Sequence, residues 1–183
     1  MTKRSLLALK ITLWIAIFVV SFGFFVPQRL VYPVLGANSS DWNEDSFWFE
    51  PWGYSGVHKG IDIFKKRGTP VVAASAGVVV YRGQLRLGGN VVVILGPKWR
   101  MHYYAHLESI SAGNGAVVRP GDRIGTVGNS GNAAGKEPHL HYVIQSLVPY
   151  PQRYRAGTQG WKRMFYLNPS EELRKNRITT DRG

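Results

Sequence analysis

The chain opens on an apolar stretch unlike anything that follows it. From Ile11 to Val26 only Thr12, Ser21 and Gly23 interrupt a run of aliphatic and aromatic residues. With Leu6 to Leu9 included, and Lys10 extending its stem outward, the stretch reaches the ~20 residues that cross a bilayer as a helix. It has no polar stripe, so a core helix of a soluble domain is the poorer fit. Lys3 and Arg4 precede it, and the positive-inside rule then places the N-terminus in the cytoplasm and the remainder outside. A cleaved signal peptide, giving a secreted form, is the competing reading. Its best small-residue site, Leu35-Gly36-Ala37, lies well past the apolar run, which favours a retained anchor.

Beyond the run the pattern changes twice. Pro27 to Ser40 has no periodicity and predicts a linker, and an acidic, aromatic patch follows from Asp41 to Trp52. Its rings either pack across a sheet or line a groove, since exposed aromatic clusters are costly unless used. Short β-branched and aromatic runs come next: Val71-Val72-Ala73, Val78 to Tyr81, Val91 to Ile94, Met101 to Tyr104, Ile124 to Val127 and Tyr142 to Ile144. Glycine-rich turns separate them, among them Gly88-Gly89-Asn90 and Gly128 to Asn132. Many short strands with regular turns predict an all-β fold, an antiparallel, sandwich-like pair of sheets behind one transmembrane helix. Ser170 to Lys175 predicts one or two helical turns with Ser170 as N-cap, and a frayed end is expected after Ile178. The expected organisation is an anchor over 1–30, a linker and aromatic lead-in over 31–51, a single domain over 52–170 and a short tail over 171–183.

Composition narrows the partners. Lys and Arg outnumber Asp and Glu 23 to 11, a formal charge of +12. A basic surface favours anionic partners such as lipid headgroups or wall polymers. Nothing in the chain matches a nucleic-acid-binding motif, so nucleic acid is not expected. The absence of cysteine excludes a disulfide framework, a thiol nucleophile and a Cys-ligated zinc.

The five histidines then become informative. Imidazole and carboxylate are the side chains that hold zinc where there is no thiolate, and His58, Asp62, His106, His139 and His141 supply both. His139 and His141 lead into a strand, where residues two apart share a face about 6.6 Å apart. His58 and Asp62 would stand about 13 Å apart on a straight strand, too far to share an ion. Gly60 between them predicts a bend, with His58 at a loop end and Asp62 at a strand start. His102 is expected on the sheet surface, outside the constellation. The 128–135 stretch lacks the Gly-Lys-Ser/Thr ending of a phosphate loop and predicts a turn at a groove rim.

Val57-His58-Lys59-Gly60-Ile61-Asp62, Tyr104-Ala105-His106-Leu107 and Pro138-His139-Leu140-His141-Tyr142 together resemble the lysostaphin/LytM-type zinc metallopeptidases, which are peptidoglycan endopeptidases. The likeness runs from about Trp52 to Ser146. It implies one zinc ion held by His58, Asp62 and His141, with His106 and His139 handling protons. Spacing alone does not choose between His139 and His141 as ligand; the resemblance does. Val143 stands where the family often carries Glu, which bears on support or specificity rather than on the metal. The resulting expectation is a membrane-anchored, extracytoplasmic (periplasmic or wall-side) metalloendopeptidase acting on peptidoglycan crosslinks, with Trp52 and Tyr54 as groove-wall candidates. A catalytically silent wall-binding or hydrolase-activating module, and a peptidase of ordinary proteins, are the alternatives. The sequence names no regulatory partner.

Overall fold

The computed structural model describes residues 3–178. Helix α1 spans Lys3–Phe25 and has no polar stripe; it is long and apolar enough to cross a membrane, with none of its apolar window fully buried in the rest of the chain. Nine strands follow among the described residues: β1 Ile61–Phe64, β2 Pro70–Val72, β3 Gly77–Leu85, β4 Gly89–Gly96, β5 Arg100–Ile110, β6 Val117–Val118, β7 Arg123–Val127, β8 His139–Ser146 and β9 Tyr166–Leu167. Helix α2, Pro169–Asn176, closes the domain. Every ladder is antiparallel, in the order β1-β8-β5-β4-β3-β6, with β7 joining β5 to β2 and β9 beside β8. The fold is mostly antiparallel sheet, as the alternation of short apolar runs predicts.

Period-two alternation decides what faces the site. On β8, Leu140, Tyr142 and Ile144 are wholly buried in the core, so His139, His141, Val143 and Gln145 share the opposite face. The core also takes Ile61 and Ile63 from β1, Ile94 from β4, and Val71, Ile124 and Val127 from the β2–β7 ribbon. Strand β5 changes neighbour midway. It pairs with β8 through Ala105↔His141 and with β7 from Leu107↔Val127. His106 stands at that handover with φ 62°, a left-handed conformation that few side-chain-bearing residues adopt and that His tolerates better than most. Its N–H goes instead to the Gly88 carbonyl at 2.8 Å.

Three expectations are corrected. The segment predicted as a linker packs into the core: Leu30 and Val34 are buried to within 1% of full burial and Val31 to 6%. Main-chain bonds from Leu30 N–H to Asn176, from Val31 N–H to Ala74 and from Leu35 N–H to Pro70 hold it there. Three apolar residues spaced irregularly carry no period, which is why the pattern hid them. His102 is not on the sheet surface but fully buried on the core face, bonded to Gln28 and, at 2.6 Å, to the Tyr142 hydroxyl. The left-handed residue at 106 breaks the parity that would have aligned His102 with His106. Finally, Asn168, not Ser170, caps α2, its Oδ1 accepting from the Ser170 N–H at 3.1 Å. Residues after Ile178, where fraying was expected, lie outside the described residues.

Candidate metal centre

Asp62 is the second residue of β1, and its register partner on β8 is His141. Paired antiparallel residues on one face bring their side chains within a few ångströms, so this ladder position alone juxtaposes the two. The Asp62 Oδ1 lies 2.7 Å from His141 Nδ1. His58 arrives from the loop ahead of β1, its Nε2 3.2 Å from Asp62 Oδ1 and 3.2 Å from His141 Nδ1. Gly60 does not act through a left-handed turn here. A Cβ at that position would lie 2.3 Å from the Tyr142 carbonyl oxygen, so glycine is needed for close approach to β8. That approach lets His58 fold back over Asp62.

Main-chain carbonyls set the imidazole tautomers. His58 Nδ1 bonds the Ser46 carbonyl at 2.9 Å, His106 Nδ1 the Ser130 carbonyl at 2.9 Å, and His139 Nδ1 the Glu137 carbonyl at 2.7 Å. A carbonyl only accepts, so each Nδ1 carries the proton and Nε2 keeps its lone pair. The His106 ring lies 5.0 Å from that of His139 and 5.9 Å from that of His141. Thus His58, Asp62 and His141 form one cluster, and His106 with His139 stands beside it.

The cluster has the chemistry of a metal site. Two imidazole nitrogens and a carboxylate oxygen, all within 4.8 Å of one another, converge on one point. A tetrahedral zinc site with bonds of about 2.0–2.2 Å has ligand atoms roughly 3.3–3.6 Å apart; the two His58 separations of 3.2 Å come close to this, and the 2.7 Å between His141 and Asp62 is shorter. Electrostatics agree. Burial alone would raise the Asp62 carboxyl pKa, but its contacts with the His141 and His58 imidazoles outweigh it and hold Asp62 well below the usual carboxylate range. Burial, reinforced by His141 and His139, pushes His106 down to about 4, leaving its imidazole neutral at pH 7.

Above the cluster opens a cleft of about 520 Å³. Trp52 stacks on His58 with ring centroids 4.2 Å apart, and Tyr54 is exposed on the same wall. The aromatic lead-in therefore divides. Trp42 and Trp48 are buried, Trp42 donating to Ser170 Oγ at 2.9 Å, whereas Trp52 faces the cleft. Residues not singled out from sequence complete the lining: Tyr103, Gln145, Tyr166, Lys59 and Lys136. Strand parity with His141 would have found Val143 and Gln145; the parity of Tyr103 with Ala105, opposite His102, would have found the first tyrosine. Burial, with Tyr81 and Tyr166 nearby, pushes the Tyr103 hydroxyl up to about 12, so it remains a neutral donor. The two lysines carry no hint in the pattern and are found only by geometry.

A model of peptidase family M23 matches residues 56–152, more than half of the chain and the segment that holds all five candidate residues. The chain belongs to peptidase family M23. It is 36% identical over 144 residues to the L-Ala–D-Glu endopeptidase of Bacillus subtilis, a match covering 69% of this chain and 43% of that one. It is 42% identical over 87 residues to the peptidoglycan DD-endopeptidase ShyA of Vibrio cholerae, covering 48% of this chain and 20% of the relative. The chain spans less than half the length of these curated relatives. Among solved structures, the catalytic domain of the antimicrobial peptidase lysostaphin from Staphylococcus simulans aligns with a TM-score of 0.57 at 26% identity, covering 70% of this chain and 89% of that one.

Proposed function

We propose that this M23 member is a membrane-anchored, extracytoplasmic zinc metalloendopeptidase that hydrolyses peptide crosslinks of peptidoglycan, with the β domain as its catalytic unit. The observation that carries the reading is the convergence of His58 Nε2, Asp62 Oδ1 and His141 Nδ1 beneath an open cleft, with His106 and His139 alongside. When bound there, zinc supplies a Lewis acid for the scissile carbonyl and lowers the pKa of water to near 7. The protein's own groups do the rest. Asp62 stays ionised and anchors both ligand imidazoles. His106 and His139, each with Nδ1 tied to a carbonyl, present Nε2 to take the proton from the attacking water and return one to the leaving amine. In protonated form either one stabilises the carbonyl oxygen as charge develops on it. Trp52 packs over His58 and fixes its ring, and Tyr103 offers a hydroxyl that remains protonated across the working range.

The donor set favours an amide over a glycosidic bond, because glycoside cleavage uses a pair of carboxylates and this cluster contributes only Asp62, which the metal claims. Lys59 and Lys136 on the cleft wall suit an anionic wall peptide. The relatives named above differ in the bond for which they are named, one an L-Ala–D-Glu endopeptidase and the other a DD-endopeptidase. The full-length protein in detergent, incubated with purified sacculi with and without chelator, distinguishes these outcomes. Conversion of crosslinked muropeptide dimers to monomers, abolished by chelator, is expected. Stems shortened at L-Ala with crosslinks intact would move the cleavage point, and new reducing sugar ends would refute the reading.

A further inference from the structure

Helix α1 and the β domain meet outside the cleft, at a place that shares no lining residue with it. The Trp99 indole Nε1–H donates to the Val20 carbonyl at 2.8 Å. Gly23 lies against the same ring, and a Cβ there would fall 2.3 Å from Trp99 Nε1, so only glycine admits the ring so close. Lys98 and Trp99, at the turn between β4 and β5, have φ 60° and 56°, a conformation disfavoured for residues with side chains. Behind the turn, half-exposed Leu147 donates its N–H to the Trp99 carbonyl at 2.9 Å. Between helix and turn lies an apolar notch of about 300 Å³, lined by Phe18, Phe22, Val26, Pro97 and Trp99. The connection has little slack, because α1 ends at Phe25 and Gln28 is already buried.

We infer that this turn is a second membrane contact, seating Trp99, Lys98 and Leu147 in the outer-leaflet interface beside α1 and fixing the stance of the cleft over the lipid. The inference rests on the reading of α1 as a membrane anchor. Val20 lies about 7.5 Å back along the helix axis from Phe25, so a ring bonded to it sits in the interfacial layer where Trp concentrates. Lys98 and the exposed Arg29 place positive charge at headgroup level, complementary to anionic lipid. Acyl chains fill the notch, which water would occupy at a cost. The sheet register then limits the height of the site. Arg100 pairs with Ser146 and Ala105 with His141, so His141 is no more than roughly 17 Å along the strand from the turn. The cleft therefore works close to the lipid surface.

The absence of cysteine makes the test direct. The full-length chain, as Leu147→Cys or Ser111→Cys, is spin-labelled and reconstituted into vesicles of phosphatidylethanolamine and phosphatidylglycerol. Accessibility of each label to oxygen and to a water-soluble nickel chelate is measured by electron paramagnetic resonance. The expected result is a lipid-shielded label at 147 and an aqueous label at 111, the latter at the far end of β5. Gly23→Leu and Trp99→Ala, which break the same contact from opposite sides, should each shift the 147 label towards water while the protein stays in the membrane pellet after a carbonate wash. A 147 label as aqueous as that at 111, in protein that stays in the pellet, overturns the docking and leaves the anchor standing. A 147 label still shielded in both variants overturns the role of the Gly23–Trp99 contact. Loss of the wild-type chain into the carbonate wash overturns the anchor reading, and this inference with it.

Discussion

Three of the imidazoles around the cleft have Nδ1 tied to the main-chain carbonyls of residues 46, 130 and 137, so backbone geometry helps to fix where each Nε2 points. Metal ligands depend on such supporting bonds, which hold both ring orientation and tautomer. His58→Ala, Asp62→Ala and His141→Ala are each expected to lose the zinc and all activity, because two protein ligands do not hold an open site. His106→Ala and His139→Ala should keep stoichiometric zinc and lose roughly 10²–10⁴-fold in turnover. Metal analysis of the five purified variants checks both statements; zinc lost from the His139 variant would exchange the roles of His139 and His141. The buried His102 gives a prediction at acid pH. Burial, together with the Arg100 guanidinium, pushes its pKa down to about 3, so the folded state holds it neutral while the unfolded chain protonates near 6.5. Its stabilising effect is complete above about pH 6.5 and is lost as pH falls towards 3, at up to about 1.4 kcal/mol per unit. In chelator-treated protein, His102→Gln should lose less stability than wild type between pH 7 and pH 5. Urea unfolding measures this, and equal losses would mean that another group governs the acid limb.

At the scale of elements, the site is a consequence of one ladder and one irregularity. The β1–β8 register places Asp62 opposite His141, and the partner switch of β5 turns His106 towards them. Gly60→Ala tests the ladder, since the new Cβ would meet the Tyr142 carbonyl oxygen and the Val143 side chain. The variant is expected to lose roughly 1–3 kcal/mol of stability and to bind zinc more weakly, because β1 must withdraw from β8. Unfolding curves and competition with a chelator would read the two effects; wild-type zinc affinity would show that His58 does not depend on this approach. Much of this was legible in the sequence. The His-x-His pair at a strand start, the loop position of His58 and the strand position of Asp62 follow from β propensity, period two and the reach of an extended chain. The choice of His141 as ligand came from family resemblance and not from spacing. What pattern could not supply was anything resting on long-range fit. The left-handed backbone at His106 has no local sign, and neither does the burial of His102 on the core face. Lys59 and Lys136 enter the cleft from a loop and a turn, where no periodicity tells which way a side chain points.

For the molecule as a whole, the segment that follows α1 and the segment that follows α2 are sewn together. Leu30 N–H donates to the Asn176 carbonyl and Ile178 N–H to the Leu30 carbonyl, while Arg100 links Gln28 to Glu172 beneath the sheet, the Glu172 contact at 2.8 Å. Leu173 of α2 is fully buried in the same core as Leu30 and Val34. The segment just after α1 is thus a structural part of the domain, and this bears on where the chain could be cut. Cleavage after Ala37, the best small-residue site, would remove Gln28, Leu30, Val31 and Val34 together. Burying one Val or Leu side chain is worth about 1.5–3 kcal/mol, so losing three of them approaches the whole stability of a typical domain. It would also leave His102 and Arg100 without Gln28, and a buried polar group stripped of its partner adds to the cost. A chain beginning at Pro27 is therefore expected to fold and to melt near the full-length protein. A chain beginning at Asn38 should be at least ~5 kcal/mol less stable, largely unfolded, and poor at holding zinc. Thermal unfolding of the two truncations side by side decides the matter. A cooperative, zinc-binding protein starting at Asn38 would show that the 28–35 segment is dispensable and would restore the cleaved, secreted form as a workable state of this protein.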